Sequence, residues 1–496
     1  MSTLMFRGPN FTVAVMLLVL LAGAGLVGVV IALGSMPLTL LAAGAVGGLL
    51  LLFVPTPQLV ALQLALSLVI AGAAMYYLNI AQAHWLPYAL SLWIWLKLPM
   101  DRLARLQPVT GPKPTMSRLV MLGLAWLLLS LLGAVINQTP LITFLVGARS
   151  QLFIWSLAFA VAAGVLAPDA QRRVWLALLA AAAVQLPFAA QQHFFQFGAS
   201  GSWDSVVGTF GGDPEGGGSS GAMVIYLSIA LGITVALWQR GQLGRWPAAA
   251  TAAAILLAVG LAEVKAFFAF APLMLGLVLL RELRSRPVFA IGSVVISAAA
   301  LVAVFAYYQQ AYFNDGVRGA GRADSTDYLR YIASADSQLN LINRRTGEVS
   351  RLGAPLLWAT ETAREGPVRQ LFGFGLRASR TGGVLGAGEA ARHYAFSLTT
   401  SAVTVLLWET GLVGLALFGA ILLTTALTAR RLSRHAAVPA FHRAALESIP
   451  PAMAVLALSS LYNDAVVNHY TIQTLLAFLV GHVLYWQRAV ARAATP

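Results

Sequence analysis

From residue 11 onward the chain repeats one pattern, an apolar run of about 18 residues or more followed by a short polar, glycine- or proline-containing break. A run of that length crosses the roughly 30 Å hydrocarbon layer of a bilayer as a helix, and a soluble chain cannot carry many of them. Residues 11–33, 36–54, 58–78, 84–99, 118–136, 146–166, 174–195, 220–238, 247–262, 265–280, 288–308, 398–428, 448–465 and 469–487 read this way. The pattern predicts an all-α polytopic membrane protein with about 12–14 transmembrane helices. A transmembrane barrel would alternate apolar and polar residues over segments of about ten, and no such alternation is present. The first run follows only MSTLMFRGPN and reads as a retained helix rather than a cleaved leader.

With 59% hydrophobic and 10% charged residues, each charge carries information about placement. The net charge of +14 reads as a topology signal and not as a nucleic-acid footprint. Nineteen of the 32 lysines and arginines fall on one face if the runs alternate direction: Arg7, the 97–118 group, Arg172 and Arg173, Arg240 and Arg245, the RELRSR run, Arg430 to Arg443, Arg488 and Arg492. That face is expected to be cytoplasmic, with both termini on it. The other face has Arg149 and Lys265 in its short connections, and one long loop, 309–397, with eleven arginines and eight acids. Long loops cross the membrane regardless of charge, so the expectation is a single integral membrane domain, 1–496, with a periplasmic insertion at 309–397. The absence of cysteine excludes a disulfide framework and a thiolate metal site.

The candidate residues lie on that second face. An all-arginine loop suits a phosphate-bearing ligand, because the planar guanidinium fork grips phosphate oxygens at two points; equally, its arginines pair with the loop's own acids. LFGFGLRASR (371–380) sets two glycines before Arg377 and Arg380, either as a flexible grip on an anion or as a turn returning to the membrane surface. His393, beside Arg392, is either a base poised near neutral pH or an interfacial anchor. In LAEVKAFF, Glu263 and Lys265 either cap a hairpin or aim the lysine at an anionic substrate. Glu409 lies roughly 16 Å into its apolar run at 1.5 Å per residue, so it needs a partner facing the bundle interior, either as a structural acceptor or with a direct role. The stretch GTFGGDPEGGGSSGAM (208–223) reads either as an anion-holding helix start or as a flexible linker.

Four of these segments, in order and on one side, resemble the O-antigen ligase and Wzy-type polysaccharide polymerase superfamily of bacterial membrane glycosyltransferases: GTFGGDPEGGG, LAEVKAFF, LFGFGLRAS and WETGLVGL. The likeness spans roughly residues 145–487. It implies a GT-C-like fold in the bacterial inner membrane and transfer of a glycan from undecaprenyl diphosphate to a glycan or lipid acceptor hydroxyl on the periplasmic side, with no metal or cofactor. Membrane lipids and a chain-length regulator are the further partners of such a reaction. By the resemblance, Lys265 and Arg377 or Arg380 hold the diphosphate, joined by Arg149 and Arg392, while His393 and Glu409 are the catalytic candidates. One departure is visible: relatives carry a His-Asn or similar pair about nine or ten residues before the helix glutamate, where this chain has Thr399 or Thr400, and His393 lies sixteen residues before Glu409. That offset favours a polymerase or a divergent branch over a lipid A-core ligase. The competing reading is a transporter or flippase of lipid-linked oligosaccharide, which calls for charge pairs at mid-membrane and broken helices. A structural scaffold leaves the arginine-rich loop and Glu409 without a purpose.

Overall fold

The computed structural model describes residues 36–105, 117–196, 206–213, 217–285, 349–351, 353–382, 385–394 and 396–493, with scattered positions between 18 and 34 and at 288 and 292. The expected spans at 11–33 and 288–308 and the first part of the long loop lie largely outside the described residues. The helices are α1 (Met36–Leu51), α2 (Thr56–Leu78), α3 (Trp85–Arg105), α4 (Arg118–Ile136), α5 (Leu141–Gln151), α6 (Ser156–Ala162) and α7 (Pro168–Phe195). They continue as α8 (Ser220–Gln239), α9 (Arg245–Ala262), α10 (Phe267–Val278), α11 (Leu280–Ser285), α12 (Gly353–Glu365), α13 (Pro367–Phe372), α14 (Glu389–His393), α15 (Ala402–Leu432), α16 (Ala440–Tyr462), α17 (Ala465–Asn468) and α18 (Tyr470–Ala493). Among the described residues the only paired strands are the two-residue ribbon of Gly212–Asp213 with Gly217–Gly218.

The protein is an all-α polytopic membrane protein. Seven helices among the described residues are long and apolar enough to cross a membrane, or eight if Leu141–Gln151 and Phe153–Ala162, which meet at a 45° bend, are one span. Helices also form at four other expected spans. Of these α1 and α10, at 16 and 12 residues, are short, while α3 and α18 carry more polar side chains.

The interior is organised around α8, which is apolar all round and buried from Ala222 to Thr234, as a helix with no lipid face must be. It packs against α9, α10 and α16, while α15 lies between α16 and α4, and α18 lies against α6. Opposite ends of the bundle are tied by different chemistry. At one end Arg240 pairs with Glu447 at 2.5 Å, Ser117 donates to Gln487, Arg488 donates to the Ala162 carbonyl and His482 bonds Gln171. At the other end the stretch before α8 meets the residues after α16, where His469 and Tyr470 both bond the Phe210 carbonyl.

That convergence corrects the linker reading of 208–223 for its first residues. Val206, Val207, Thr209 and Phe210 are fully buried. Gln192 of α7 accepts from the Val207 and Gly208 N–H groups and donates to the Gly208 carbonyl, while Gln185 bonds both the N–H and the hydroxyl of Thr209. Backbone at membrane depth has no water to satisfy it, so the two glutamines act as the missing helix partners. Inside α2, residues Leu66–Ile70 wind as a π turn, and the carbonyls of Ser67 and Leu68 accept from the hydroxyls of Thr471 and Thr209.

Helix α15 begins with a capping box, Ser401 with Thr404. It is then interrupted at Gly411, which takes φ +67° and ψ −166°. A β-carbon there would lie 2.3 Å from the Leu371 carbonyl oxygen, so both the left-handed backbone and the close approach require glycine. Gly411→Ala is therefore expected to lower stability by about 3 kcal/mol, combining backbone strain with a steric clash. Gly419→Ala, on the same helix with nothing within 4 Å of the added carbon, should leave the melting temperature in detergent unchanged or slightly raised. Equal melting temperatures for the two variants would contradict the interruption.

Candidate functional site

The break at Gly411 frees carbonyls of its own helix, and the segment 373–380 takes them. The N–H groups of Phe374 and Gly375 donate to the carbonyls of Trp408 and Glu409 at 2.8 and 3.0 Å. Gly373, at φ +68°, brings its backbone so close to Glu409 that a β-carbon would sit 2.6 Å from the Glu409 carbonyl carbon. From there the chain curls over the end of the upper helical segment in two tight turns, Ala378 N–H to Gly375 and Arg380 N–H to Arg377.

Glu409 points into the centre of that curl and is 3% exposed. One carboxylate oxygen accepts from Gln151 Nε2 at 2.6 Å, the other from Ser379 Oγ at 2.7 Å, and the N–H groups of Arg377 and Ser379 also point at it. The carboxylate thus joins α15, α5 and the loop. The structural reading of Glu409 is the one its geometry carries.

Two guanidinium groups act on this anchor, and a third stands beside them. Arg377 is buried in a left-handed backbone, φ +70°, and its Nη2 donates to the carbonyls of Gly382 and Gly386 at 3.0 and 2.7 Å, which ties down the following loop. Burial and the neighbouring Arg380 push its pKa below the ordinary range while Glu409 opposes them, and it stays charged. Arg380 is half-buried and its guanidinium makes no hydrogen bond or salt bridge among the described residues, yet its charge acts on Arg149, Arg377, Tyr88 and Glu409. Arg149 arrives from α5, which approaches the loop at Gly147, where a β-carbon would lie 2.7 Å from Leu376. Its guanidinium lies 3.7 Å above the Trp85 ring and donates to His84 Nε2 at 3.2 Å. Tyr88, buried on α3, sends its hydroxyl to the Asn468 carbonyl and Gln473 Oε1, within reach of Arg149, Arg380 and Asp464.

Three of the expected anion-binding residues, Arg149, Arg377 and Arg380, thus come together with Glu409. Arg392 and His393 stand apart on α14: Arg392 is exposed, and the His393 side chain is 61% exposed with Nε2 3.4 Å from Glu365. Lys265 is exposed on the turn between α9 and α10, where Glu263 ends α9 at φ +54° and the Leu261 carbonyl meets His193 of α7. Sequence reasoning missed His84, Trp85, Tyr88, Gln151, Ser379, Asp464 and Gln473. The available signal was polar residues sitting inside or at the edge of apolar runs, Gln151 two positions from Arg149 above all. An aromatic layer of Trp358, Phe374, Tyr394 and Trp408 packs the loop onto α15.

The anchor makes a graded prediction. Glu409→Ala leaves Gln151, Ser379 and two N–H groups without an acceptor and should cost about 4 kcal/mol. Glu409→Gln keeps one oxygen, and the Gln151 amide can turn over to accept from the new NH2, so the cost should be about 2 kcal/mol. Thermal melts in detergent, with proteolysis of the 373–388 loop as a local readout, check the order; an alanine variant as stable as the glutamine variant contradicts it. No protein-family model and no curated protein matches this chain.

Proposed function

We propose that the protein is a membrane glycosyltransferase that moves a glycan from undecaprenyl diphosphate to an acceptor hydroxyl during surface polysaccharide assembly, as a polymerase or an O-antigen ligase. The observation that supports this reading is the gathering of Arg149, Arg377 and Arg380 beside the hydrogen-bonded carboxylate of Glu409, with the Arg380 guanidinium left without a hydrogen-bond partner among the described residues. Such a cluster attracts a multiply charged anion, and a diphosphate leaving group needs charge stabilisation in a water-poor site more than it needs a proton. The acceptor oxygen attacks the anomeric carbon, the bond from that carbon to the diphosphate oxygen breaks, the electron pair leaves with the diphosphate toward the guanidinium groups, and the proton of the acceptor hydroxyl passes to the departing diphosphate or to water. On this reading the cluster lies on the periplasmic side of the bacterial inner membrane, with both termini cytoplasmic.

A second reading, a flippase for the same lipid-linked glycan, draws support from the interrupted helices at Gly411, at the π turn of α2 and at the α5 bend. One experiment separates the two. In a deletion strain complemented with Arg380→Ala or Arg149→Ala, long-chain polysaccharide should fall about 100-fold, the effect of removing one transition-state donor. Lipid-linked glycan should then accumulate on the periplasmic face, with protein levels normal by immunoblot. Accumulation on the cytoplasmic face points to the flippase, and full-length polysaccharide from both variants removes the cluster from the reaction. His393→Ala run alongside decides between a base and a surface residue paired with Glu365: long chains persist only in the second case.

A further inference from the structure

His84 ends the short 3₁₀ turn Ala81–His84 between α2 and α3. Its Nδ1 lies 2.6 Å from the Ala81 carbonyl, an acceptor only, so Nδ1 carries the proton and Nε2 carries a lone pair. That lone pair receives Arg149 Nη1. The guanidinium therefore rests in a cradle made of a neutral imidazole and two aromatic faces, Trp85 at 3.7 Å and Tyr88 at 5.5 Å, and it forms no salt bridge among the described residues. Such a cradle fixes the orientation of the cation without neutralising it, so its charge remains available to an incoming anion.

We propose that His84 is a positioning residue of the anion site: neutral, it parks Arg149 on Trp85, and it takes up a proton on Nε2 as a bound diphosphate draws Arg149 off that nitrogen. This rests on the reading of the cluster as a diphosphate site. In the free protein, burial and then the Arg149 charge press the His84 pKa below its ordinary value, against the Ala81 hydrogen bond. The charged group facing His84 is Arg149 on α5, which is itself faced by Tyr88 of α3 and by Arg377 and Arg380 of the loop. A bound dianion offsets the positive field of the guanidinium groups, so imidazolium becomes easier to form. Because linkage is reciprocal, an anion that raises the affinity of His84 for a proton is itself bound more tightly when the proton is present. Affinity then rises as pH falls through the pKa of the occupied state and levels off below that of the free state.

The test uses the full chain in detergent micelles and a diethyl diphosphate diester, whose charges do not titrate in the histidine range, with binding measured by calorimetry at about pH 7.5 and about pH 5.5. The wild type should bind about tenfold more tightly at the lower pH, the factor carried by a pKa change of one. His84→Gln keeps a neutral acceptor for Arg149 but cannot titrate, so whatever its affinity at the higher pH, it should bind with nearly the same affinity at the lower one. Arg149→Ala should bind weakly at both. A His84→Gln variant that tightens as the wild type does, or a wild type indifferent to pH, overturns the role of His84 while leaving the diphosphate site standing. No binding by the wild type at either pH overturns the diphosphate reading itself, and His84's role with it. A long-chain prenyl analogue of the same diester, compared in the same micelles, separates a lipid-borne diphosphate from a free one: tighter binding of the prenyl form marks the carrier, and equal binding marks a soluble ligand.

Discussion

One buried carboxylate holds the site together. Glu409 sits in a helix that crosses the membrane, where an ionisable group is tolerated only when its acceptor capacity is met. Gln151, Ser379 and the N–H groups of Arg377 and Ser379 meet it. Each of these donors lies on a different run of chain from Glu409, so satisfying the carboxylate fixes where α5 and the 373–380 loop must go. The placement of Arg149, two residues before Gln151, and of Arg377 and Arg380, flanking Ser379, follows from that one requirement.

The same constraint explains why interruptions in the helices are not weaknesses. A π turn in α2, the break at Gly411 and the buried strip at 206–211 all leave backbone groups in the protein interior without their regular helix partners, and each is answered by a specific partner. Thr471 and Thr209 serve the π turn, Phe374 and Gly375 serve the break, and Gln185 and Gln192 serve the strip. In hydrocarbon an unanswered N–H or C=O costs several kcal/mol, so these side chains are as much part of the secondary structure as the helices are.

The helical, membrane-spanning class was legible because apolar runs of span length admit few alternatives. The 373–380 segment and Glu409 were legible as a pair of anomalies, glycines before arginines and an acid inside an apolar run. Their contact was not, since nothing in the spacing says that a loop residue will return to a helix some thirty positions later. The burial of 206–211 was hidden for the opposite reason: glycine-rich composition signals freedom, and the glutamines that remove it lie on α7, outside the segment. His84 and Trp85 escaped notice because a lone histidine next to a tryptophan at the edge of an apolar run reads as an ordinary interfacial anchor. Only the arrival of Arg149 from α5 gives the pair a task.

The interruption at Gly411 also redraws the boundary between scaffold and loop. The first residues of α15, Ala402 to Thr410, are fastened through Trp408 and Glu409 to the segment that precedes them, and through the aromatic layer to α12 and the 389–396 stretch. Beyond the break the helix packs on α4, with Phe418 against Trp126. In modular terms the transplantable unit does not end where the helix begins. A graft of the long loop between proteins of this architecture has its natural seam inside a transmembrane helix, at a glycine, and a chimera cut at Ser401 would separate the loop from the carboxylate around which it is folded.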